Sequence, residues 1–322
     1  MTRSAIIAFS IALAAIGTSC KAGSKGQQAA ALDKRAEEVK KRIAAVDESG
    51  SAQPVAKWLL PPILREVSGL ALTSDGRVLA HNDERGRVYV IDPMRGVITK
   101  VFSIGNKGHV ADFEAIAVSG ADIYMLTSDG NIYQFREGDD GSSVEYTKHD
   151  TKLKKECEFE GLAVEPGTGA FLLPCKVISK KSERNQVLIY RWLQQSGAEP
   201  SVSKISVPLS EAIGGNGWKE LSPSDMTIDP RTGNYIVITG REKALLEITP
   251  AGQLVRSLPL PGDPQQPEGV AITKDGLLMV SDEGVSRPAD ITIYRWREIA
   301  GAPVSNTSDT TSAATDTVSS NR

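Results

Sequence analysis

Acidic side chains recur in this chain of 322 residues, and each stands directly before a short apolar run. The recurring position is acidic in four of its five copies, which are Ser68, Glu114, Glu160, Asp225 and Glu268. Carboxylates gathered in one place must take up protons, pair with basic side chains or bind a cation. A set of oxygen donors suits Ca²⁺ or Mg²⁺ and does not suit zinc. The first chemistry that the sequence indicates is therefore the binding of a cation.

A second charged set follows the first by 14 to 16 residues and consists of Asp83, Asp129, Lys176, Arg241 and Asp282. If each copy opens a strand and the next strand runs antiparallel to it, both sets lie at the same edge of their sheets. Glu66, Asp112 and Glu158, two residues before the first set, would then form an outer acidic ring. The alternative for the second set is a group of solvated turn residues, because Asp-Gly and Asn-Asp turns are common.

The elements that position these residues follow from the repeat itself. The copies are spaced 46, 46, 65 and 43 residues apart, and repeats of this length built from short strands and turns are typical of β-propellers. The third copy predicts strands over 161–165, 171–173, 186–192 and 201–209, and an insertion over 210–222 explains its longer spacing. The sequence thus predicts an all-β, five-bladed propeller with the acidic sets at one mouth of its central channel.

The fifth blade is one strand short in this interpretation. After its third strand, at 291–296, only a few residues remain before a tail rich in Ser and Thr. Residues 55–60 form a spare strand ahead of the first repeat. Because an open edge strand invites aggregation, we expect this N-terminal strand to complete the last blade and close the ring.

The two ends of the chain predict export and anchoring. Residues 1–19 look like a signal peptide, with Arg3 ahead of an apolar stretch over 5–16 that is too short to span a bilayer. Gly17-Thr18-Ser19-Cys20 resembles a lipobox, which would make Cys20 the lipidated N-terminus; the alternative is an ordinary cleaved signal with an incidental cysteine. Lys21 is not the Asp that favours inner-membrane retention, so we expect the outer membrane, facing the periplasm or the cell surface.

The domain plan follows from these ends. Residues 20–53 would be a lipid-anchored tether, helical in part over 29–45 and solvated; residues 54–298 would form the propeller, and 299–322 a disordered tail. The formal net charge of −3, with no basic stripe, argues against nucleic-acid binding. The expected partners are the membrane, through the lipid anchor only, and an unknown small molecule or envelope protein.

The phrases that carry the acidic residues also resemble those of a known family. In chain order they are Glu66-Val67-Ser68-Gly69-Leu70, Asn82-Asp83-Glu84, Asp112-Phe113-Glu114, Phe159-Glu160-Gly161-Leu162, Pro223-Ser224-Asp225 and Gln266-Pro267-Glu268-Gly269. Together they are similar to the SdiA-regulated family of bacterial envelope proteins, over about 54–298. The resemblance implies a five-bladed propeller related to NHL repeats, with a calcium-containing site in the central channel. Ala115 replaces the usual Gly after Glu114.

Two functions remain open from the sequence. In the first, the protein is a binding or scaffold propeller whose metal ligands come from Ser68, Glu114, Glu160, Asp225, Glu268, Asp83, Asp129 and Asp282. In the second, it is a metal-assisted hydrolase of esters, lactones or phosphoesters, by fold-level analogy. Glu114 or Glu160 would then be the base, and Lys176 or Arg241 would steady an oxyanion; His81 and His109 are further candidates for the base. Whether the protein is an enzyme is left undecided.

Cys157 and Cys175 flank the first hairpin of the third blade. Pairing about the turn at 166–169 puts Glu160 opposite Cys175, which leaves Cys157 three residues out of register. An exported protein meets an oxidising compartment, so a disulfide between them is one expectation and two unpaired thiols are the other.

Overall fold

The computed structural model describes residues 9–10, 25–45, 52–195 and 197–300. Over these ranges the chain forms five sheets, each made mainly of antiparallel strands that follow one another in sequence. The innermost strand of each sheet lies beside the innermost strands of its neighbours. The predicted all-β, five-bladed propeller is therefore confirmed.

The helices and strands have the following bounds. Ahead of the first blade lie β1 Phe9–Ser10, α1 Lys25–Ala44, β2 Pro54–Leu59 and a 3₁₀ turn at Pro62–Leu64. Blades one and two are built from β3 Val67–Leu72, β4 Val78–Asn82, β5 Arg87–Asp92, β6 Val97–Ile104, β7 Phe113–Ser119, β8 Asp122–Thr127, β9 Asn131–Arg136, β10 Ser143–Val144 and β11 Thr147–Asp150. The short β10 pairs back onto β6 of the first blade.

Blade three contains β12 Cys157–Phe159, β13 Ala163–Val164, β14 Phe171–Ile178, a 3₁₀ turn at Lys181–Glu183, β15 Gln186–Leu193 and β16 Ser201–Pro208. The predicted insertion begins with α2 Leu209–Ile213. Blades four and five follow as β17 Pro223–Ile228, β18 Tyr235–Thr239, β19 Ala244–Ile248, β20 Leu254–Pro259, β21 Pro267–Ile272, β22 Leu277–Asp282, β23 Asp290–Arg295 and α3 Trp296–Ala300. The strands predicted for the third repeat overlap the observed strands of blade three.

The core lies between neighbouring blades. Leu79 of blade one and Met125 of blade two, for example, belong to one buried apolar cluster together with Phe113. Each blade has strands rich in β-branched and aromatic residues, which pack well on a pleated surface. Burial between blades holds the inner strands close together, and this fixes the positions of the side chains at the channel.

The strand β2 lies on the outer side of β23 in blade five and pairs antiparallel with it. Trp58 of β2 is buried, and its Nε1 donates a hydrogen bond to the carbonyl oxygen of Pro93 in blade one at 2.8 Å. Lys57 makes an ion pair of 2.7 Å with Asp290 of β23. The last blade is thereby joined both to the N-terminal strand and to the first blade.

Phe9 and Ser10 pair in parallel with Trp58 and Leu59 of β2. These two residues belong to the predicted signal segment, 1–19, which stays a prediction. On the side away from β23, the backbone groups of β2 accept the short β1. The rest of that segment, Cys20 and residues 301–322 of the predicted tail lie outside the described residues.

The helix α1 corrects the prediction of a solvated tether. Ala36 and Val39 are buried, and Ile43 packs against the same apolar cluster as Val39, so the helix has an apolar stripe at the spacing i, i+3 and i+7. Asp33 makes an ion pair of 2.7 Å with Arg95 of blade one. The stripe is narrow, which is why composition alone indicated a solvated helix. No helix among the described residues is long and apolar enough to cross a membrane.

Candidate functional site

A register shift near the start of the inner strand decides which side chains reach the mouth. Strand pairing in four blades skips one residue, and the skipped residues are Ser68, Glu114, Ser224 and Glu268. In blade three Phe159 pairs with Cys175, and the N–H of Glu160 donates to the carbonyl oxygen of Pro174 at 3.3 Å. Glu160 therefore takes the same position there. We call Ser68, Glu114, Glu160, Ser224 and Glu268 the inner ring.

The inner ring corrects the sequence prediction in blade four. Ser224, not Asp225, is the equivalent of the glutamates, and Asp225 stands where the other blades have a residue with little or no side chain. Those residues are Gly69, Ala115, Gly161 and Gly269. Superimposing the repeats in sequence aligned Asp225 with the glutamates because both are acidic. The shift in strand pairing is a backbone feature that the sequence does not show.

The same pairing corrects the second charged set. In each blade, the residue just before the inner ring pairs with a residue of the second strand. The residues that directly follow these partners are Asp83, Ser128, Lys176, Gly240 and Glu283. We call these five residues the upper ring. The prediction holds for Asp83 and Lys176 and is one residue away in the other three blades. Glu283 was missed; the signal that could have found it is the acidic pair Asp282-Glu283, which matches Asn82-Asp83.

The three displaced members of that set have local structural partners. Asp129 accepts hydrogen bonds from Thr127 Oγ1 at 2.7 Å and Asn131 Nδ2 at 2.6 Å. Arg241 is exposed and pairs with Glu220 at 2.7 Å. Asp282 accepts the backbone N–H groups of Gln265 and Gln266 at 2.9 and 2.7 Å. These contacts fix loops, so we do not place these three side chains at the mouth.

Three carboxyl groups of the inner ring share one basic side chain. Glu160 is only 4% exposed, and its Oε1 pairs with the Nζ of Lys176. Burial, and next the charge of Glu160, raises the pKa of Glu114 to about 9 and the pKa of Glu268 to about 8. Burial also raises the pKa of Glu160 to about 7, although Lys176 opposes the shift. At neutral pH the half-buried Glu114 and Glu268 therefore hold their protons, and Lys176 offsets the charge of Glu160, unless a cation displaces those protons.

Further acids surround this centre. Burial and then the charge of Glu66 raise the pKa of Asp83, and burial and then the charge of Asp83 raise the pKa of Glu283. Glu66, Asp112 and Glu158, the predicted outer ring, are exposed as expected. Ser128 of the upper ring donates to Asp112 Oδ2 at 2.5 Å. The mouth is thus acidic from its buried centre to its exposed rim.

Asp225 lies beneath the mouth and is fully buried. Burial raises the pKa of Asp225 well above its usual range. Its Oδ2 accepts the N–H of Val270 in blade five at 2.8 Å, and this bond, with backbone N–H groups of Leu162 in blade three and Leu70 in blade one, opposes that shift. A Cβ added at Gly161 would lie 2.9 Å from the Cα of Asp225. An acid of blade four that reaches three other blades must lie near the propeller axis, where it fastens the inner strands together.

The opposite end of the channel holds a cavity of about 780 Å³. Its wall is mainly aliphatic and comes from the inner strands, as shown by Leu72, Val118, Val164, Ile228 and Ile272. None of the site residues predicted from the sequence lines it. The chemistry that the sequence predicted and this cavity therefore lie at different ends of the propeller.

The two candidate histidine bases have other surroundings. His81 is completely buried over Gly69, its Nδ1 lies 2.9 Å from the carbonyl oxygen of Asn82, and burial lowers its pKa to about 4. The ring nitrogens of His109 lie 3.4 and 3.3 Å from the hydroxyls of Tyr133 and Tyr146. Neither geometry presents a histidine to the inner carboxyl groups.

Cys157 and Cys175 are joined by a disulfide, with their Cα atoms 5.6 Å apart. The register differs from the prediction, because Phe159 rather than Glu160 lies opposite Cys175, and Cys157 pairs with Ile178. The bond connects the strand that precedes Glu160 to the strand that carries Lys176. It therefore braces the two elements that form the central ion pair.

The oxygen donors of the inner ring are of the kind that a hard cation prefers, but the distances between them are too long for one ion. The inner ring offers carboxylate and hydroxyl oxygens, and Glu160 Oε2 is buried with no hydrogen-bond partner among the described residues. Yet within residues 9–10, 25–45, 52–195 and 197–300, no three Asp, Glu, His or Cys side chains lie close enough to hold a metal ion. The glutamates would have to draw together around an ion.

Fold and mouth together define a five-bladed β-propeller with an acidic channel entrance. The family model described as SdiA-regulated matches residues 214–310, which confirms the resemblance seen in the sequence phrases over that part of the chain. No curated protein matches the chain.

Several solved structures are similar in fold. A PQQ-bound aldose sugar dehydrogenase from Streptomyces coelicolor is 12% identical, with 74% of this chain and 97% of that chain covered and a TM-score of 0.47. A glutaminyl cyclase from Myxococcus xanthus is 12% identical, with 76% and 95% covered and a TM-score of 0.49. A gluconolactonase from Xanthomonas campestris is 14% identical, with 71% and 72% covered and a TM-score of 0.42. Likeness at this level concerns the fold alone.

Proposed function

We propose that this chain is an envelope-anchored binding propeller whose acidic mouth takes up Ca²⁺ and a ligand or partner that remains to be identified. The observation that carries the proposal is the grouping of Glu114, Glu160 and Glu268 around a single basic side chain, Lys176. Burying unpaired carboxylates is costly, and a cation removes that cost. A purely structural mouth would have no need for three acids at equivalent positions of one ring.

The residues that would hold the ion are Glu114, Glu160 and Glu268, with Ser68 as a neutral oxygen donor of the same ring. Carboxylates and hydroxyls are the ligands that Ca²⁺ prefers. The remaining predicted ligands are less suitable: Asp225 lies beneath the mouth, and Asp129 and Asp282 hold neighbouring loops through their hydrogen bonds. Glu268 also accepts a hydrogen bond, of 2.9 Å from Gln266 Nε2, which an ion would have to share or replace. Asp83, in the upper ring, stays available as a more distant acid.

Calcium binding is tested by thermal unfolding of the parent and of Glu160→Gln, with calcium and with chelator. A ligand at a hundredfold excess over its Kd stabilises the native state by about 2.7 kcal/mol. The parent should melt several degrees higher in calcium, and Glu160→Gln should lose most of that gap. Glu220→Gln, which removes an exposed acid that pairs with Arg241, is the matched control and should keep it. A parent indifferent to calcium would reduce the mouth to a charge-paired lining.

The anchoring part of the proposal rests on the lipobox-like sequence that ends at Cys20. Cys20→Ser should prevent lipidation and release the protein from the membrane fraction. Unchanged processing and fractionation of this variant would remove the lipoprotein claim and leave the mouth proposal untouched.

A metal-assisted hydrolase is the alternative use of the same mouth. The pKa of Glu160, raised by burial to about 7, would suit a general base near neutral pH. However, Glu160 is already paired with Lys176, and Arg241, the other candidate for an oxyanion, pairs with Glu220 on the surface. Because these two candidates are already engaged, the binding function has the better support.

A further inference from the structure

The face that carries the acidic mouth also carries most of the exposed apolar side chains. Six large apolar residues are exposed in the described part of the chain: Ile63, Val110, Val177, Val202, Val255 and Val285. Four of them lie next to residues of the mouth, either in sequence or through backbone contacts. The other two lie on the outer strands β16 and β20. Single exposed apolar residues are ordinary, so their concentration on one face is the informative feature.

The four residues at the mouth can be placed one by one. Val177 follows Lys176 and pairs with Glu158, and Val285 lies two residues after Glu283. Val110 bridges to Arg85 and precedes Asp112 by two residues. The carbonyl oxygen of Ile63 accepts a hydrogen bond of 2.8 Å from Asn82, the neighbour of Asp83. We call Ile63, Val110, Val177 and Val285 the apolar rim; its members come from four different blades or blade entries.

Acidic groups predominate inside this rim, and Arg65 lies beside it, where its side chain donates to the carbonyl oxygens of Gly284 and Val285. The inner and upper rings with the outer acids contain eight carboxyl groups and one basic residue: Glu66, Asp83, Asp112, Glu114, Glu158, Glu160, Glu268, Glu283 and Lys176. Glu160 Oε2 is buried at the centre and has no hydrogen-bond partner among the described residues. A buried acceptor without a donor is costly unless a ligand supplies one.

We infer that this face docks a segment of another envelope protein that inserts a Lys or Arg side chain among the inner carboxyl groups and lays apolar neighbours on the rim. The inference rests on the proposed function of the mouth as a cation site. A basic side chain supplies both the positive charge and the N–H donors that Glu160 Oε2 lacks. An ion or a small amine could not contact an apolar rim spread over several blades. An anionic membrane surface would be repelled by the acids.

The inference predicts competition between the basic segment and calcium, since both require the same carboxylates. The probe is the peptide Gly-Leu-Val-Lys-Val-Leu-Gly-amide with fluorescein on its N-terminal amine, titrated with the full chain in detergent and followed by anisotropy. One control peptide carries Nε-acetyl-lysine, which removes the charge and keeps the apolar residues. A second control replaces the Leu and Val residues of the peptide by Ser.

Two double variants separate the rim from exposed valines elsewhere. Val110→Ser with Val177→Ser removes rim residues that are 67% and 46% exposed. Val202→Ser with Val255→Ser removes outer-strand residues that are 45% and 38% exposed. The rim variant should bind the lysine peptide about tenfold more weakly, because apolar contact area is lost. The outer-strand variant should bind it as the parent does, and both should keep the parent's thermal response to calcium.

The outcomes are separable from those of the proposed function. Equal binding of the acetyl-lysine peptide, or equal weakening by both double variants, overturns the inference. No binding up to about 1 mM peptide, with calcium still raising the melting temperature, also overturns it and leaves the calcium site standing. Lysine-dependent, rim-dependent binding in a protein indifferent to calcium supports the docking surface and removes the calcium part of the proposed function.

Discussion

Glu160 and Lys176 form an ion pair across the first two strands of blade three, and the Cys157–Cys175 disulfide joins the same two strands next to it. Cys175 directly precedes Lys176, so the covalent bond and the ion pair restrain one stretch of backbone. The pair places an ammonium among three acids, where it partly neutralises them in the absence of any other cation. Lys176 is thus both a stabiliser of the mouth and a competitor of any cation that enters.

Replacing Lys176 by Met tests this double role. Without calcium, the free energy of unfolding should fall by about 1–2 kcal/mol, because Glu160 stays buried without its partner and Lys176 is partly exposed. With calcium, the variant should gain more stability than the parent, since nothing competes for the carboxylates. Arg241→Met, which removes an exposed base paired with Glu220, should stay within about 0.5 kcal/mol of the parent. Chemical denaturation of the three proteins in both conditions provides the comparison; equal behaviour of the two variants would contradict the role of Lys176.

Asp225 should be the most sensitive acid of the domain. Asp225→Asn keeps the shape of the side chain but replaces one of its two oxygens with an NH₂ group. That group cannot accept the hydrogen bonds that backbone N–H groups now donate to the side chain of Asp225. We expect a loss of roughly 2–4 kcal/mol, typical of buried polar groups left unpaired. Glu268→Gln, in the inner ring, should cost less, because burial already favours the uncharged form of Glu268 and the amide keeps its shape. A urea titration in chelator that ranks the two variants the other way would show that Asp225 does not fasten the inner strands.

The sequence predicted the number of blades and the acidic mouth because repeat length and strand pattern are visible in it. It misplaced Asp225, Asp129, Arg241 and Asp282, because a one-residue shift in pairing leaves no mark in composition. In blade four, Ser224-Asp225 stands where blades three and five have Glu-Gly. Because the repeats were aligned by their acidic residues, Asp225 was chosen in place of Ser224. The packing of α1 was missed for a related reason, since three apolar residues suffice once Asp33 and Arg95 pair.

His81 should make the stability of the protein depend on pH. Burial lowers its folded pKa to about 4, whereas the unfolded value is near 6.5. The unfolded chain therefore binds the proton first as pH falls, so the stabilising contribution is complete above about pH 6.5 and is lost between about 6.5 and 4. The loss should reach about 3 kcal/mol at its largest.

The matched test is His81→Leu, since blade two has Leu126 at the equivalent position. The difference in unfolding free energy between parent and variant, measured from pH 7.5 to 4.5, should change steadily in favour of the variant as pH falls. His149→Leu, in the half-buried setting of an outer strand, should change the slope much less. A constant difference between parent and His81→Leu across this range would mean that His81 accepts its proton in the folded state as readily as in the unfolded one.

The closure of the ring should depend on Trp58. Its indole is buried, donates to the carbonyl oxygen of Pro93 and covers Gly96, where an added Cβ would lie 2.4 Å from the ring. These contacts join the N-terminal strand of blade five to blade one, so Trp58→Ala should cost about 3–5 kcal/mol and lower the melting temperature of the whole domain.

Trp218, on the inserted segment of blade three and only partly buried, is the control, and Trp218→Ala should cost clearly less. Because an open blade exposes edge strands, Trp58→Ala should also aggregate more readily after mild heating, which light scattering can follow. Deleting residues 55–60 should have the same effect in a stronger form. Equal melting and equal light scattering of Trp58→Ala and Trp218→Ala would mean that β2 pairs with blade five without closing the ring. The ring would then be closed by contacts between blades one and five that do not involve the N-terminal strand.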